Sequence, residues 1–305
     1  MNNSTNLTHV ENEIDELLVL KRVDLVCRLV SCLIFMLYFV FILTNRASRK
    51  MHQLYIHHAN LVDFLYVAAY AAYLDSTEPN IADPNVRDTF CRLSEISWSI
   101  LKYLRFYSVL LIAAYRFGAI FYSNVFKFLF GSLLRLLSPL LAVWTISIAI
   151  ALTIKYSIGT TYSRSYCIDG YSSDFALIVK YLIASSLLSI VLPGAAVFFF
   201  DYKIRVKLSL NRQVIANSTS ATSDELAKER KHNRQLTAIN ISYIVTFVIS
   251  FVQSFVFIIP DTNADLAAFR IILRITNILS LVSLPIISVF YNPNINLFDR
   301  SKILP

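Results

Sequence analysis

Charge is scarce in this chain. Asp, Glu, Lys and Arg make up 16% of its 305 residues, where an average soluble domain has roughly 25%. Glycine is scarcer still, with 5 residues, while Phe 22 and Tyr 17 are plentiful and 56% of the chain is hydrophobic. That composition excludes an ordinary water-soluble domain and points to a membrane. The period-two alternation of a transmembrane β-barrel is absent, which leaves helices as the way to satisfy the backbone in lipid. The first 22 residues lack the basic start and apolar core of a cleaved signal peptide. The first apolar span is therefore expected to act as the targeting signal and to stay in the membrane. Internal repeats and Gly/Pro-broken apolar segments, the sequence signs of many transporters, are also missing.

What is present is a series of long apolar runs. Seven of them reach the roughly 20 residues that a bilayer crossing needs, at about 23–44, 54–74, 93–121, 134–155, 176–200, 236–259 and 268–290. They predict an all-α membrane protein, a seven-transmembrane helix bundle, with a polar arm over 1–22 and a short tail over 291–305. Basic residues are split unevenly: sixteen lie in the first, third and fifth connections and the tail, and seven on the opposite side. The basic side stays in the cytoplasm, which puts the N-terminus outside and the C-terminus inside. The net charge of +8 is absorbed by this asymmetry, and no nucleic-acid partner is expected.

The connections agree with that orientation. Asn2, Asn3 and Asn6 each open an N-x-S/T sequon in the arm, where glycans are accepted in secreted segments. Asn217 opens another in the basic loop and is expected to stay bare. That loop, 202–235, has the polar centre NSTSATSDE, and Thr222 with Glu225 makes a capping box. A helix starting there would run through LAKERKHNRQ into the sixth span. Its charge has two readings, a solvated face that fixes topology and a docking surface for a cytoplasmic partner. In the tail, Ile295 and Phe298 suit a small helix lying on the membrane. Of the four cysteines, Cys91 opens the third span and Cys167 lies in the second outside loop, YCIDG. Both face an oxidising compartment, which makes a disulfide an open reading. Cys27 and Cys32 sit inside the first span and read as packed thiols.

The spacing of these residues resembles the rhodopsin-like family of G-protein-coupled receptors. Cys91 stands 25 residues before Arg116, the family's interval between its disulfide cysteine and the arginine of Asp-Arg-Tyr, written here Tyr115-Arg116-Phe117. Trp144 matches the tryptophan of helix four, Pro193 the proline of helix five, and Asp63 in NLVDFL the aspartate of helix two. LPIIS, from Leu284 through Pro285 to Ser288, resembles Asn-Pro-x-x-Tyr with its ends replaced. Phe247-x-x-Ser250-Phe251-x-Gln253 stands where the family shows Phe-x-x-Cys-Trp-x-Pro. The resemblance covers roughly residues 23–300. Ile278 at the retinal lysine's place argues against a Schiff base, and no cofactor is expected. Trp98 at the amine-receptor aspartate's place argues against amine ligands. Such departures are similar to those of divergent invertebrate chemosensory or neuropeptide receptors.

The resemblance implies a receptor whose Arg116 locks the resting bundle and then faces a heterotrimeric G protein. On position alone Arg116 is also read as a snorkelling interfacial arginine. Tyr115 replaces its acidic neighbour, so Asp201, eight residues past Pro193, is expected to pair with it in at least one signalling state. Pro193, Phe106 and Phe247 match the family's core switch, and they read equally as ordinary packing. Cys91, Glu95, Trp98, Lys102, Arg105, Val109, Ala113 and Arg116 recur at three- and four-residue steps, one face of a helix. The resemblance turns that face inward. Its outer half, with Arg274 and Asn277 of span seven and Phe251 of span six, is expected to take an extracellular ligand, a small polar or anionic molecule or a peptide end. A self-satisfied ion network is the competing reading.

In the family the helix-two aspartate helps hold sodium. Here the helix-three partner position, 14 residues after Cys91, is Arg105, whose guanidinium would take the cation's place. A buried Asp63–Arg105 ion pair is the expected arrangement. Two rival functions, a seven-helix membrane enzyme and a transporter, find less support. His57 and His58 near the inner end of span two read as interfacial and have no partner cluster for metal or nucleophilic chemistry.

Overall fold

The computed structural model describes residues 3–44, 53–76, 84–122, 133–158, 161–162, 169–170, 175–216, 223–256 and 264–290. They form an all-α bundle of seven helices: α1 (Asn3–Thr44), α2 (Leu54–Ser76), α3 (Pro84–Phe121), α4 (Leu133–Ile158), α5, α6 (Ser223–Val256) and α7 (Ala264–Phe290). Helix α5 is assembled from Phe175–Ser186, a π-helical turn Leu187–Val191, and Leu192–Ala216. The α4–α5 connection adds a two-residue antiparallel ribbon, Thr161 opposite Gly170 and Tyr162 opposite Asp169.

Among the described residues, five helices contain segments long and apolar enough to cross a membrane: Arg22–Thr44, Ile96–Phe121, Arg135–Tyr156, Ile183–Leu210 and Ala268–Phe290. A shorter apolar stretch, Thr237–Gln253, lies in α6. Leu29, Met36, Val40, Leu141, Phe198, Val248 and Ile272 all point away from the bundle and are exposed. A helix that is apolar outside as well as inside is one that lipid surrounds.

Helix α3 is the axis. Phe106, Val109 and Ile112 pack with Tyr55, Leu136, Ile190, Tyr243, Phe247 and Leu284 on one side. Leu101, Leu104 and Tyr107 pack with Phe35, Val62, Tyr66, Val143 and Leu281 on the other. Because a helix repeats every 3.6 residues, adjacent positions on α3 can serve both clusters.

Several helices outrun the apolar runs that announced them. Helix α1 starts at Asn3, so the backbone of the 1–22 arm is helical from there. Helix α5 continues to Ala216 and α6 begins at Ser223, directly after Thr222. The connection expected at 202–235 is thus largely helix on both flanks. Hydropathy marks where lipid begins and ends; a helix continues into water as long as nothing breaks it. Asn2, the tail 291–305 and Cys167 lie outside the described residues, as do the side chains of Asn3, Asn6, Cys91 and Glu95. Cys27 and Cys32 are free, half-buried thiols.

Candidate functional site

The middle of the bundle holds a buried charge pair. Arg105 of α3 places Nε 3.0 Å from Oδ1 of Asp63 on α2, with the two side chains 3% and 2% exposed. Nε and Oδ1 form no hydrogen bond of their own, so this closest contact is ionic. The guanidinium carbon lies 5.5 Å from the ring centroids of both Tyr66 and Phe106, which gives the cation two aromatic faces. Tyr66 extends the cluster, since it is within electrostatic reach of Arg105, Asp63 and Arg274.

The α3 face runs from this pair in both directions. Val109 and Ala113 are buried below it, and Trp98, Lys102 and Arg116 are half-buried. The Trp98 ring tilts against Tyr66 at 6.3 Å. Across the bundle, Phe106 stacks on Phe247 of α6 with centroids 4.9 Å apart and planes at 24°. Pro193 is buried in α5, beside Gly194, where an added Cβ would come 4.0 Å from the Phe247 ring. Pro193 supplies no N–H to Ser189, and the helix widens into its π turn just before it. Tyr107 donates to the Leu188 carbonyl of that turn at 3.2 Å, and Tyr103 meets Ser185 Oγ at 3.0 Å.

At the Arg116 end, Asp201 and Tyr243 are the electrostatic neighbours of the arginine. Asp201 has its ion contact with Arg205, 3.2 Å away and one turn along α5. The Arg116–Asp201 pair expected from the sequence is therefore not made in this structure; the i,i+4 partner is reached without moving a helix. Tyr115 packs edge-on against Tyr55 at 4.8 Å, and Tyr55 donates to the Leu136 carbonyl at 3.0 Å.

Helices α6 and α7 are joined by a polar ladder. Ser242 meets Ser283, Thr246 donates to Ser280 at 3.0 Å, and Ser250 donates to Asn277 Oδ1 at 3.4 Å. Asn277 Nδ2 donates to Gln253 Oε1 at 2.9 Å. Asn277 is buried in this ladder, whereas Phe251 is exposed beside the exposed Val252. Pro285 is buried within α7, which stays continuous around it. Arg274 turns towards α1, where Asp24 is its ion partner.

Three features were missed in the sequence. His58 is not interfacial: it accepts from Trp144 Nε1 at 3.0 Å and meets Ser108 Oγ at 3.3 Å, tying α2 to α3 and α4. Its neighbour His57 meets the Tyr38 hydroxyl at 2.8 Å. The hydroxyl group Ser185, Ser186 and Ser189 is buried on α5. Asp24 and Arg28 form an intrahelical pair inside α1; an acid and a base four residues apart in an apolar run, VDLVCRLV, was the signal for it.

Comparison with known families bears on this arrangement. Residues 25–295 match the model of the 7 transmembrane receptor (rhodopsin family). Among curated proteins no match is found. The family match spans all seven helices and nearly the whole chain, and the chain therefore belongs to the rhodopsin family of seven-transmembrane receptors.

Proposed function

We propose that this receptor is activated at the cell surface by a small polar or anionic molecule or a peptide end, and that it signals through heterotrimeric G proteins. The observation that carries the reading is the column on α3. Trp98 and Lys102 stand towards one end of the bundle, Arg116 stands towards the other, and the Phe106–Phe247 stack couples α3 to α6 between them. A ligand that binds one α6 position better than another shifts the population of the two bundle states.

In this reading the N-terminal end faces outside, in the plasma membrane. Glu95, Trp98, Lys102, Phe251, Arg274 and Asn277 meet the ligand, a Cys91–Cys167 disulfide ties the loop above them, and Asn2, Asn3 and Asn6 carry glycans. Tyr115, Arg116, Asp201 and Pro285 belong to the cytoplasmic half that couples to the G protein. Lys102 on the inward face of α3 favours an anionic group on the ligand.

Nucleotide exchange on added heterotrimeric G protein is the test, run beside solute flux and metal-dependent turnover on the same membranes. Ligand-dependent exchange that Lys102→Ala and Arg274→Ala abolish supports the reading. Flux or turnover without exchange overturns it in favour of a transporter or an enzyme.

A further inference from the structure

Tyr243 of α6 carries a hydroxyl deep in the bundle. The residue is 4% exposed, and its hydroxyl has no hydrogen-bond partner among the described residues. It packs in one cluster with Val109, Ile112 and Ala113 of α3. Those positions lie between Arg105 and Arg116, which are three turns apart, about 16 Å along the α3 axis. The phenol is within electrostatic reach of both arginines, and of Asp63 and Tyr38. One turn further along α6 is Phe247, stacked on Phe106, so the α6 face that carries Tyr243 is the one held against α3.

A buried hydroxyl without a partner is costly, because it has given up water for nothing. Two complementary groups stand near this one. Asp63 Oδ1 accepts no hydrogen bond, although a carboxylate oxygen has room for two donors. Arg116 is a donor with no acceptor capacity, and Tyr243 and Asp201 are its electrostatic neighbours. Of these, Asp201 is engaged by Arg205. A phenol donates one hydrogen bond and accepts another, so a single hydroxyl can serve a carboxylate and a guanidinium together.

We infer that Tyr243 is the α6 lock of the resting bundle: its hydroxyl donates to Asp63 and accepts from Arg116 when α6 is drawn against α3. In this structure the phenol stands between the two groups with neither bond formed. Closing both ties α6 to α2 and α3 at once, and movement of α6 away from α3 breaks both and leaves Arg116 to Asp201 of α5. The inference deepens the receptor reading by naming the α6 residue on which the change of state turns. It rests on that reading for the nucleotide-exchange readout alone.

The test compares Tyr243→Phe, which removes only the hydroxyl, with the parent full-length chain in two measurements made without ligand. The first is the α3–α6 separation, read by electron-spin resonance between labels on Tyr122→Cys and Arg234→Cys, two exposed positions, in a background of Cys27→Ala and Cys32→Ala. The second is basal nucleotide exchange on added G protein at matched expression of the unlabelled chains. Tyr243→Phe is expected to raise the ratio of separated to closed bundles by about tenfold, the factor that follows from losing a hydrogen bond to a charged group, and to raise basal exchange with it. Tyr243→Gln, which keeps a donor and an acceptor, is expected to stay near the parent. An unchanged distance distribution in Tyr243→Phe, even with lowered thermal stability, would overturn the lock and leave the hydroxyl a structural one. Should Tyr243→Phe not fold, Tyr243→Gln against Tyr243→Leu makes the same comparison, and equal distributions in those two overturn it as well. A distance shift with no exchange in any chain would keep the lock and remove the G-protein reading.

Discussion

Arg105 reaches across the α2–α3 interface to Asp63, Nε to Oδ1 at 3.0 Å, with both side chains closed off from the surface. Each charge depends on the other, since neither has water to fall back on. Removing one partner of such a pair costs about 3–5 kcal/mol, while replacing both with apolar groups of similar volume is often near neutral. Asp63→Asn and Arg105→Gln are each expected to lower thermal stability by about that amount, and Asp63→Leu with Arg105→Met to recover most of it. Because the guanidinium already occupies the cation's place, ligand affinity is expected not to change with sodium. Additive losses in the double variant, or a sodium effect abolished by Asp63→Asn, would contradict this account of the pair.

The α6–α7 ladder makes a second prediction. Asn277 serves Gln253 and Ser250 at once. Asn277→Leu leaves the buried Gln253 amide without its donor, at a cost of about 1–3 kcal/mol. Gln253→Leu in the same chain is expected to return much of that loss, and a double-mutant cycle on unfolding measures the coupling. Zero coupling energy would mean that the two helices are held by apolar packing alone.

His58 is the acceptor for the indole N–H of Trp144. His58→Leu strands that donor in the bundle and is expected to destabilise by about 1–3 kcal/mol. His58→Asn, which keeps an acceptor and a donor, is expected to cost less. Trp144→Phe should then be harmless in the leucine background and costly in the parent, as read by unfolding midpoints.

The Asp201–Arg205 contact is weak, because Arg205 is 55% exposed and exposed pairs contribute only about 0–1 kcal/mol. Arg205→Gln is expected to leave stability unchanged and to free Asp201 for Arg116. If that pairing belongs to the signalling state, ligand-independent nucleotide exchange rises in Arg205→Gln and falls in Asp201→Ala. Exchange that ignores both changes would remove Asp201 from activation.

The seven helices were legible because lipid imposes apolar runs, and five of them carry, among the described residues, a segment long and apolar enough to cross a membrane; the shared face of Trp98, Lys102, Arg105 and Arg116 was legible from helical period alone. Helix ends were not. The reaches of α1 to Asn3 and of α5 to Ala216 lie beyond the apolar segments, where hydropathy is silent. The hydroxyls were illegible for another reason. Ser31, Ser108, Ser147 and Ser189 all donate to the carbonyl four residues back, so each satisfies itself locally and leaves no mark on the pattern. His58 was misplaced because sequence gives its depth and not its rotation, and only the α3 and α4 neighbours show what its ring nitrogens meet.

The most direct test of the receptor account is a ligand-dependent nucleotide-exchange assay on Arg116→Ala beside the parent chain, with surface expression and ligand binding matched. The account predicts that a compound found by second-messenger screening drives exchange through the parent, and that Arg116→Ala still binds it while exchange falls at least about tenfold, the factor that follows from losing roughly 1.4 kcal/mol of coupling. Undiminished exchange by Arg116→Ala would contradict it.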